Sequence, residues 1–149
     1  MDDAPAQDLA DALMRVARTL RRRGVEALEP WGLSPHHARA LRVIWREEAP
    51  RLGHLAERLR IAPRSATDVV DALEGRGLVE RLPDPEDRRA SCVRLTTAGT
   101  ELIGTINQAR AADAEHVFAA LSGAERAELL RTLRRLEEAA EPTSASGPG

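Results

Sequence analysis

The stretch LGHLAERLRIAPRSATDVVDALEGRGLVERLPDPEDRRASCVRL, residues 52–95, changes its apolar period twice. Leu52, Leu55, Ala56 and Leu59 recur at helical spacing, Arg60-Ile61-Ala62 interrupts them, and Pro63 opens a second helical set of Ala66, Val69, Val70 and Leu73. Proline is tolerated at a first helical position because its missing N–H would have no intrahelical partner there. Gly77 stops this second helix. Leu78-Val79-Glu80-Arg81-Leu82 and Ser91-Cys92-Val93-Arg94-Leu95 then flank a polar segment, residues 83–90, which predicts a β-hairpin with a long charged tip. Two short helices, a tight turn and a hairpin, in that order, make a winged helix-turn-helix, with the paired helices over residues 52–76 and the wing over residues 78–95.

Upstream, Leu9, Leu13, Val16 and Leu20 step by four, three and four, predicting an amphipathic helix over residues 8–28. Ser34-Pro35 supplies an N-cap and a first-turn proline for a second helix, which buries Ala38, Leu41, Ile44 and Trp45 and closes before Pro50. Downstream, Thr96 caps a helix carrying Leu102, Ile103, Ile106, Ala109 and Val117. Ser122 and Glu125 then form an S-x-x-E capping box ahead of Leu129, Leu130, Leu133 and Leu136. The expected fold class is mainly α with a small β-hairpin wing: a winged helix-turn-helix lobe plus a helical region at 8–28 and 97–138, all in one domain over residues 8–140. Residues 1–7 and the low-complexity tail 141–149 are expected to be disordered.

A chain of 149 residues suits a single core, and 42% apolar with 31% charged residues is ordinary for a globular protein. No apolar run approaches the ~18 residues of a membrane span, and the opening MDDAPAQD is acidic where a secretory signal is basic and then apolar, so a cytoplasmic protein without a membrane partner is expected. Net charge is −2, and all 22 basic residues are arginine. Arginine's planar fork can read guanine or enter a narrow minor groove. Residues 51–96 carry nine basic and eight acidic side chains, so the middle of the chain is only faintly basic.

On the second short helix the apolar set must face inward, leaving Pro63, Arg64, Ser65, Thr67 and Asp68 at its N-terminal end as candidate groove contacts. Arg64 can bond a guanine edge, Ser65 and Thr67 a base or phosphate, and Asp68 can accept from cytosine or orient an arginine. The helix N-terminus adds partial positive charge. At the hairpin tip, Arg88 or Arg89 is expected to contact the minor groove, with Asp87 holding the Arg89 side chain by charge-assisted hydrogen bonds.

DPEDRRASCVRLTTAG, residues 84–99, resembles the wing signature D-x-R-x-x-x-V-x-L-T of the MarR (multiple antibiotic resistance regulator) family, with Asp87, Arg89, Val93, Leu95 and Thr96 on its positions. LAERLRIAPRSATDVVDALEGRGLVER, residues 55–81, is similar to the same family's helix-turn-helix, and residues 122–138 to its closing helix. The resemblance implies a transcription regulator, usually a repressor released from DNA by a small molecule, and a homodimer built on the first and last helices. Energetics point to pairing as well, because one small module neutralises few phosphates, whereas a two-fold pair grips two half-sites of an inverted repeat in double-stranded DNA. Leu9, Leu13, Val16, Leu129, Leu133 and Leu136 would supply the shared dimerisation surface; an ordinary intramolecular core is the alternative for the same residues.

The resemblance also implies an effector cleft bordered by the first, second and fifth helices. Trp31, His36, His37 and Arg39, with Trp45, are the candidates there to hold a planar aromatic or anionic effector. The four histidines lack the i, i+4 spacing of a helical zinc clamp, so neither a metal nor a cofactor is expected. The single cysteine, Cys92, excludes an internal disulfide, and its strand position beside Arg94 predicts a modestly stabilised thiolate with an incidental role. No G-x-S-x-G, H-E-x-x-H or phosphate-loop pattern occurs, which leaves catalysis without a candidate site. The alternative to DNA binding is a degenerate winged helix that docks another protein.

Overall fold

A computed structural model describes residues 4–140. It divides into two compact units, Met1–Asp113 and Ala114–Gly149. In the first unit, α1 (Ala6–Glu26) leads through a 3₁₀ turn, Glu29–Trp31, to α2 (Pro35–Glu47), α3 (Leu52–Leu59) and α4 (Pro63–Gly75). The strands β1 (Val79–Pro83) and β2 (Ser91–Leu95) and most of α5 (Thr97–Val117) follow. The second unit holds the end of α5 and α6 (Gly123–Ala140). The fold is thus mainly helical with one antiparallel hairpin, in which Val79 pairs with Leu95 and Pro83 with Ser91.

α1 begins at Ala6, ahead of Asp8, because Pro5 occupies the N-cap and Ala6-Gln7 are good helix formers; residues 6 and 7 are therefore helical, where the sequence reads as a disordered start. The expected disordered tail, 141–149, lies outside the described residues. Ser34 caps α2 by accepting the His37 N–H at 3.2 Å. Thr96 caps α5 by accepting the Gly99 N–H at 3.1 Å, while its hydroxyl donates to the Gly77 carbonyl and pins the helix to the turn before the wing. The capping box is also made: Ser122 Oγ accepts the Glu125 N–H, and Glu125 Oε2 accepts the Ser122 N–H at 2.8 Å, which holds the Glu125 carboxyl below its ordinary range.

The core of the first unit is built from Leu41 and Ile44 of α2, Leu55 of α3, Val70 and Leu73 of α4, Val79 and Val93 of the hairpin, and Ile103 and Ile106 of α5, all fully buried. Each contributes about 1.5–3 kcal/mol of apolar transfer energy, which fixes α3 and α4 against α2 and the wing root. Trp45 corrects the expected α2 stripe. It shares the azimuth of Ala38 but sits in the last turn and is 49% exposed, while Ala40 is buried instead. Neither α1 nor α6 buries a residue; Leu9, Leu13, Val16, Leu129 and Leu136 are exposed and Leu133 is half-buried. Among the described residues no helix is long and apolar enough to cross a membrane.

Candidate nucleic-acid interface

Helix periodicity on α4 sends Ala66, Val70 and Leu73 into the core, so the N-terminal residues Pro63, Arg64, Ser65 and Asp68 are left exposed. Thr67 is half-buried, and its hydroxyl donates to the Pro63 carbonyl at 3.1 Å, so it is turned partly inward rather than fully outward. The N-cap is Ala62, which makes no side-chain capping bond. The first-turn N–H groups of α4 therefore lack a side-chain acceptor from their N-cap and remain suited to a phosphate oxygen. Arg64 makes no ion pair among the described residues.

The wing is held from its base. Asp84, 6% exposed, accepts the backbone N–H groups of Glu86 and Asp87 on Oδ1 at 2.7 and 3.3 Å, while Oδ2 pairs with the Arg51 guanidinium at the N-cap position of α3. The Glu86 amide is the chief cause that holds the Asp84 carboxyl below its usual range; Arg51 adds to it against the cost of burial. Arg51 also lies 3.7 Å from Glu86. Asp87 behaves differently from its expected role. Its Oδ1 accepts the backbone N–H of Arg89 at 2.9 Å, and its carbonyl accepts the Ala90 N–H at 3.0 Å, so it shapes the turn and not the Arg89 guanidinium. Both Arg88 and Arg89 are exposed and without ion-pair partners among the described residues. The tip thus presents two cations on a backbone fixed by two aspartates. Sequence reasoning misses Arg51 and Asp84 as site residues, although an aspartate two and three positions before turn amides is an Asx-turn signal.

α4 is braced at its other end as well. Arg76 donates to the carbonyls of Trp31 and Gly32 at 2.6 and 3.1 Å, and Arg81 of β1 bonds Asp71 and Glu74 of α4 at 2.5 and 2.9 Å. The Arg81 contacts tie the first strand of the wing to α4, and the Arg76 contacts tie the end of α4 to the turn before α2.

The expected effector residues are dispersed. Arg39 donates to the carbonyls of Leu59 and Arg58 at 3.3 and 3.2 Å, closing the C-terminus of α3. Trp31 packs against the core, His36 is exposed, and His37 is half-buried with its imidazole pushed down by burial and then by Arg76 and His36. A cleft of about 300 Å³ does open between α1, α2 and α5, but Leu20, Arg21, Val25, Pro35, Arg42 and Arg110 line it, and none of the four expected residues does. Cys92 is likewise corrected. It is buried against Asp84, and burial followed by that carboxylate pushes its thiol up, so the thiolate is disfavoured. Among the described residues, no group of three or more His, Cys, Asp or Glu is placed to hold a metal ion.

Comparison with known proteins matches residues 33–91 to the MarR family. An uncharacterized helix-turn-helix-type transcriptional regulator of Mycobacterium leprae is 39% identical over 105 residues, covering 70% of this chain and 71% of the relative. A MarR family protein from Bacillus stearothermophilus superposes with a TM-score of 0.84 at 27% identity, over 95% of this chain and 99% of that one. A cysteine-to-serine mutant of MarR from E. coli, solved in complex with operator DNA, gives a TM-score of 0.72 at 25% identity, over 87% of this chain and 93% of the other.

Proposed function

Since this chain belongs to the MarR family of transcription regulators, we propose that it acts in the cytoplasm as a homodimeric repressor of an inverted-repeat operator. The observation that carries this reading is the shared availability of Arg64 on α4 and of Arg88 and Arg89 on the wing, three guanidiniums that the fold holds out and leaves without ion pairs among the described residues. The N-terminal turn of α4, with Pro63, Arg64, Ser65 and Asp68 exposed, enters the major groove; Thr67 contributes through its hydroxyl oxygen. Arg88 or Arg89 reaches the adjacent minor groove, and Asp87 sets the backbone from which Arg89 projects.

Pairing with a second copy covers the apolar stripe Leu9, Leu13 and Val16 of α1 and the stripe Leu129, Leu133 and Leu136 of α6. The exposure of Leu9, Leu13, Val16, Leu129 and Leu136 in one chain, with Leu133 half-buried, opposes the alternative of an intramolecular core and supplies the driving force for association. The cleft between α1, α2 and α5 is the place for a small effector, with Arg21, Arg42 and Arg110 as its charged residues in place of Trp31, His36, His37 and Arg39.

The test is selection of duplexes from a random-sequence library by the purified full-length protein, followed by footprinting of the enriched sequence. A symmetric site with half-sites about 10 bp apart is expected. Failure to enrich any sequence at low salt would reject operator binding in favour of the protein-docking module.

A further inference from the structure

A second depression, of about 300 Å³, lies where α2 meets the end of α3 and is lined by Arg39, Arg42, Val43, Arg46, Arg58 and Arg60. Residues 39, 42, 43 and 46 form one stripe along α2, while Arg58 and Arg60 come from the last turn of α3 and the helix-turn-helix turn. Five arginines thus line one concavity in a chain of net charge −2. Glu47 answers one of them, bonding Arg58 at 2.7 Å, and is shared with His54 at 2.6 Å. Arg42, Arg46 and Arg60 have no ion pair among the described residues. Arg42 is half-buried, and burial, then Arg110, Arg46 and Arg39, push its guanidinium down to about 10. Arg60 adopts φ 55°, the left-handed position at a helix end where glycine is favoured, so the chain keeps a long cation where the backbone asks for no side chain.

Crowded like charges with a buried member are relieved by an anion. From this geometry we infer that the α2–α3 depression is a binding site for a small hydrophilic anion with two or more negative charges, a polycarboxylate or a phosphorylated metabolite. Guanidinium forks match both carboxylate and phosphate, and several of them converge here. Val43 is the one apolar side chain of the lining, so the site offers no stacking surface and discriminates against planar aromatic monocarboxylates. The half-buried Arg42 favours a small free anion over a duplex, whose phosphates are spaced along a broad cylinder. The site also touches the DNA-reading lobe, because Arg39 lines it and at the same time holds the Arg58 and Leu59 carbonyls. An anion that draws the Arg39 guanidinium toward itself loosens the end of α3 and the turn that places α4.

Binding is independent of the operator reading and is tested without DNA. The full-length protein is titrated with inorganic pyrophosphate, with citrate and with salicylate at constant ionic strength, following the thermal midpoint and amide NMR shifts. Saturable stabilisation is expected with pyrophosphate or citrate, whichever responds identifying the phosphate or the carboxylate source, and a response at least tenfold weaker with salicylate. Shifts should concentrate at Arg60 and Ile61. The response should be lost in R46M/R60M, which spares the Arg42 shared with the cleft between α1, α2 and α5, and kept in R134M/R135M, which removes two arginines of α6. If R46M/R60M does not fold, the exposed R46M alone should weaken the response severalfold. A response that is linear in concentration, equal for salicylate, or unchanged in R46M and R46M/R60M would overturn the site.

Discussion

The Arg51 guanidinium, at the N-cap position of α3, is paired with the Asp84 carboxylate at the root of the wing. One ion pair thereby ties the first helix of the helix-turn-helix to the hairpin that follows its second helix. The Val93 N–H bonding the Pro50 carbonyl at 3.0 Å, beside the Arg51–Cys92 bridge, reinforces the tie.

Acid should untie it. The Asp84 carboxyl is held below its unfolded value of about 3.9, so its contribution to stability is complete above that pH and is lost as pH falls through the folded value. Thermal midpoints measured between pH 7 and pH 3 should decline below about pH 4. Asp84→Asn should lower the midpoint at pH 7 and show a shallower acid decline; parallel pH profiles for the two proteins would contradict the assignment.

The close approach of α5 to the wing root depends on Gly99. A Cβ there would overlap the Leu78 carbonyl oxygen and lie 3.0 Å from its carbon, and that oxygen already accepts the Thr96 N–H. Gly99→Ala should destabilise by about 1–3 kcal/mol, as overpacking does. Gly104→Ala, five residues along the same helix with open space around it, should instead stabilise by roughly 0.5–1 kcal/mol. Urea unfolding of both variants decides the matter through the sign of the difference.

Arg89→Ala should weaken operator binding by about 1–3 kcal/mol and reduce the slope of log affinity against log salt by about one. Asp87→Ala should also weaken binding, because it releases the Arg89 N–H and loosens the turn. Fluorescence-anisotropy titrations across salt concentrations measure both. Wild-type affinity in Arg89→Ala would reject the role assigned to Arg89 and leave Arg88 as the wing contact.

Leu13→Asp places a charge in the exposed stripe of α1. The dimer dissociation constant should rise tenfold or more, about 1.4 kcal/mol or above, as for a central interface residue. Sedimentation at a series of concentrations reports it, and thermal stability of the dilute chain should change little since Leu13 is exposed in one copy.

Much of the architecture is legible in periodicity and punctuation because those signals are local. The spacing of Leu52 to Leu59, Pro63 at the start of α4, Ser34, Thr96 and the Ser122–Glu125 box all act within a few residues of themselves, and the structure makes each of these elements. What escapes is set by three-dimensional placement. Charge alone pairs Asp87 with the Arg89 side chain, yet the turn brings the Asp87 oxygen to an amide at 2.9 Å. Trp45 has the right azimuth for burial, but azimuth does not tell how far along a helix its neighbours extend. Arg39 reads as available to a ligand until α3 ends against it, 19 and 20 residues away.

The residues alone settled the helices, the hairpin, the outward face of α4 except at Thr67, and the two exposed arginines of the tip, because hydrogen bonding and side-chain period within an element are set by adjacent positions. Only the tertiary arrangement decided which charges are spent. It engaged Arg39, Arg51, Arg76 and Arg81 in bracing and left Arg42, Arg46 and Arg60 around a depression. Electrostatic partnership falls off with distance in space, and distance in space is what the order of residues along the chain does not state.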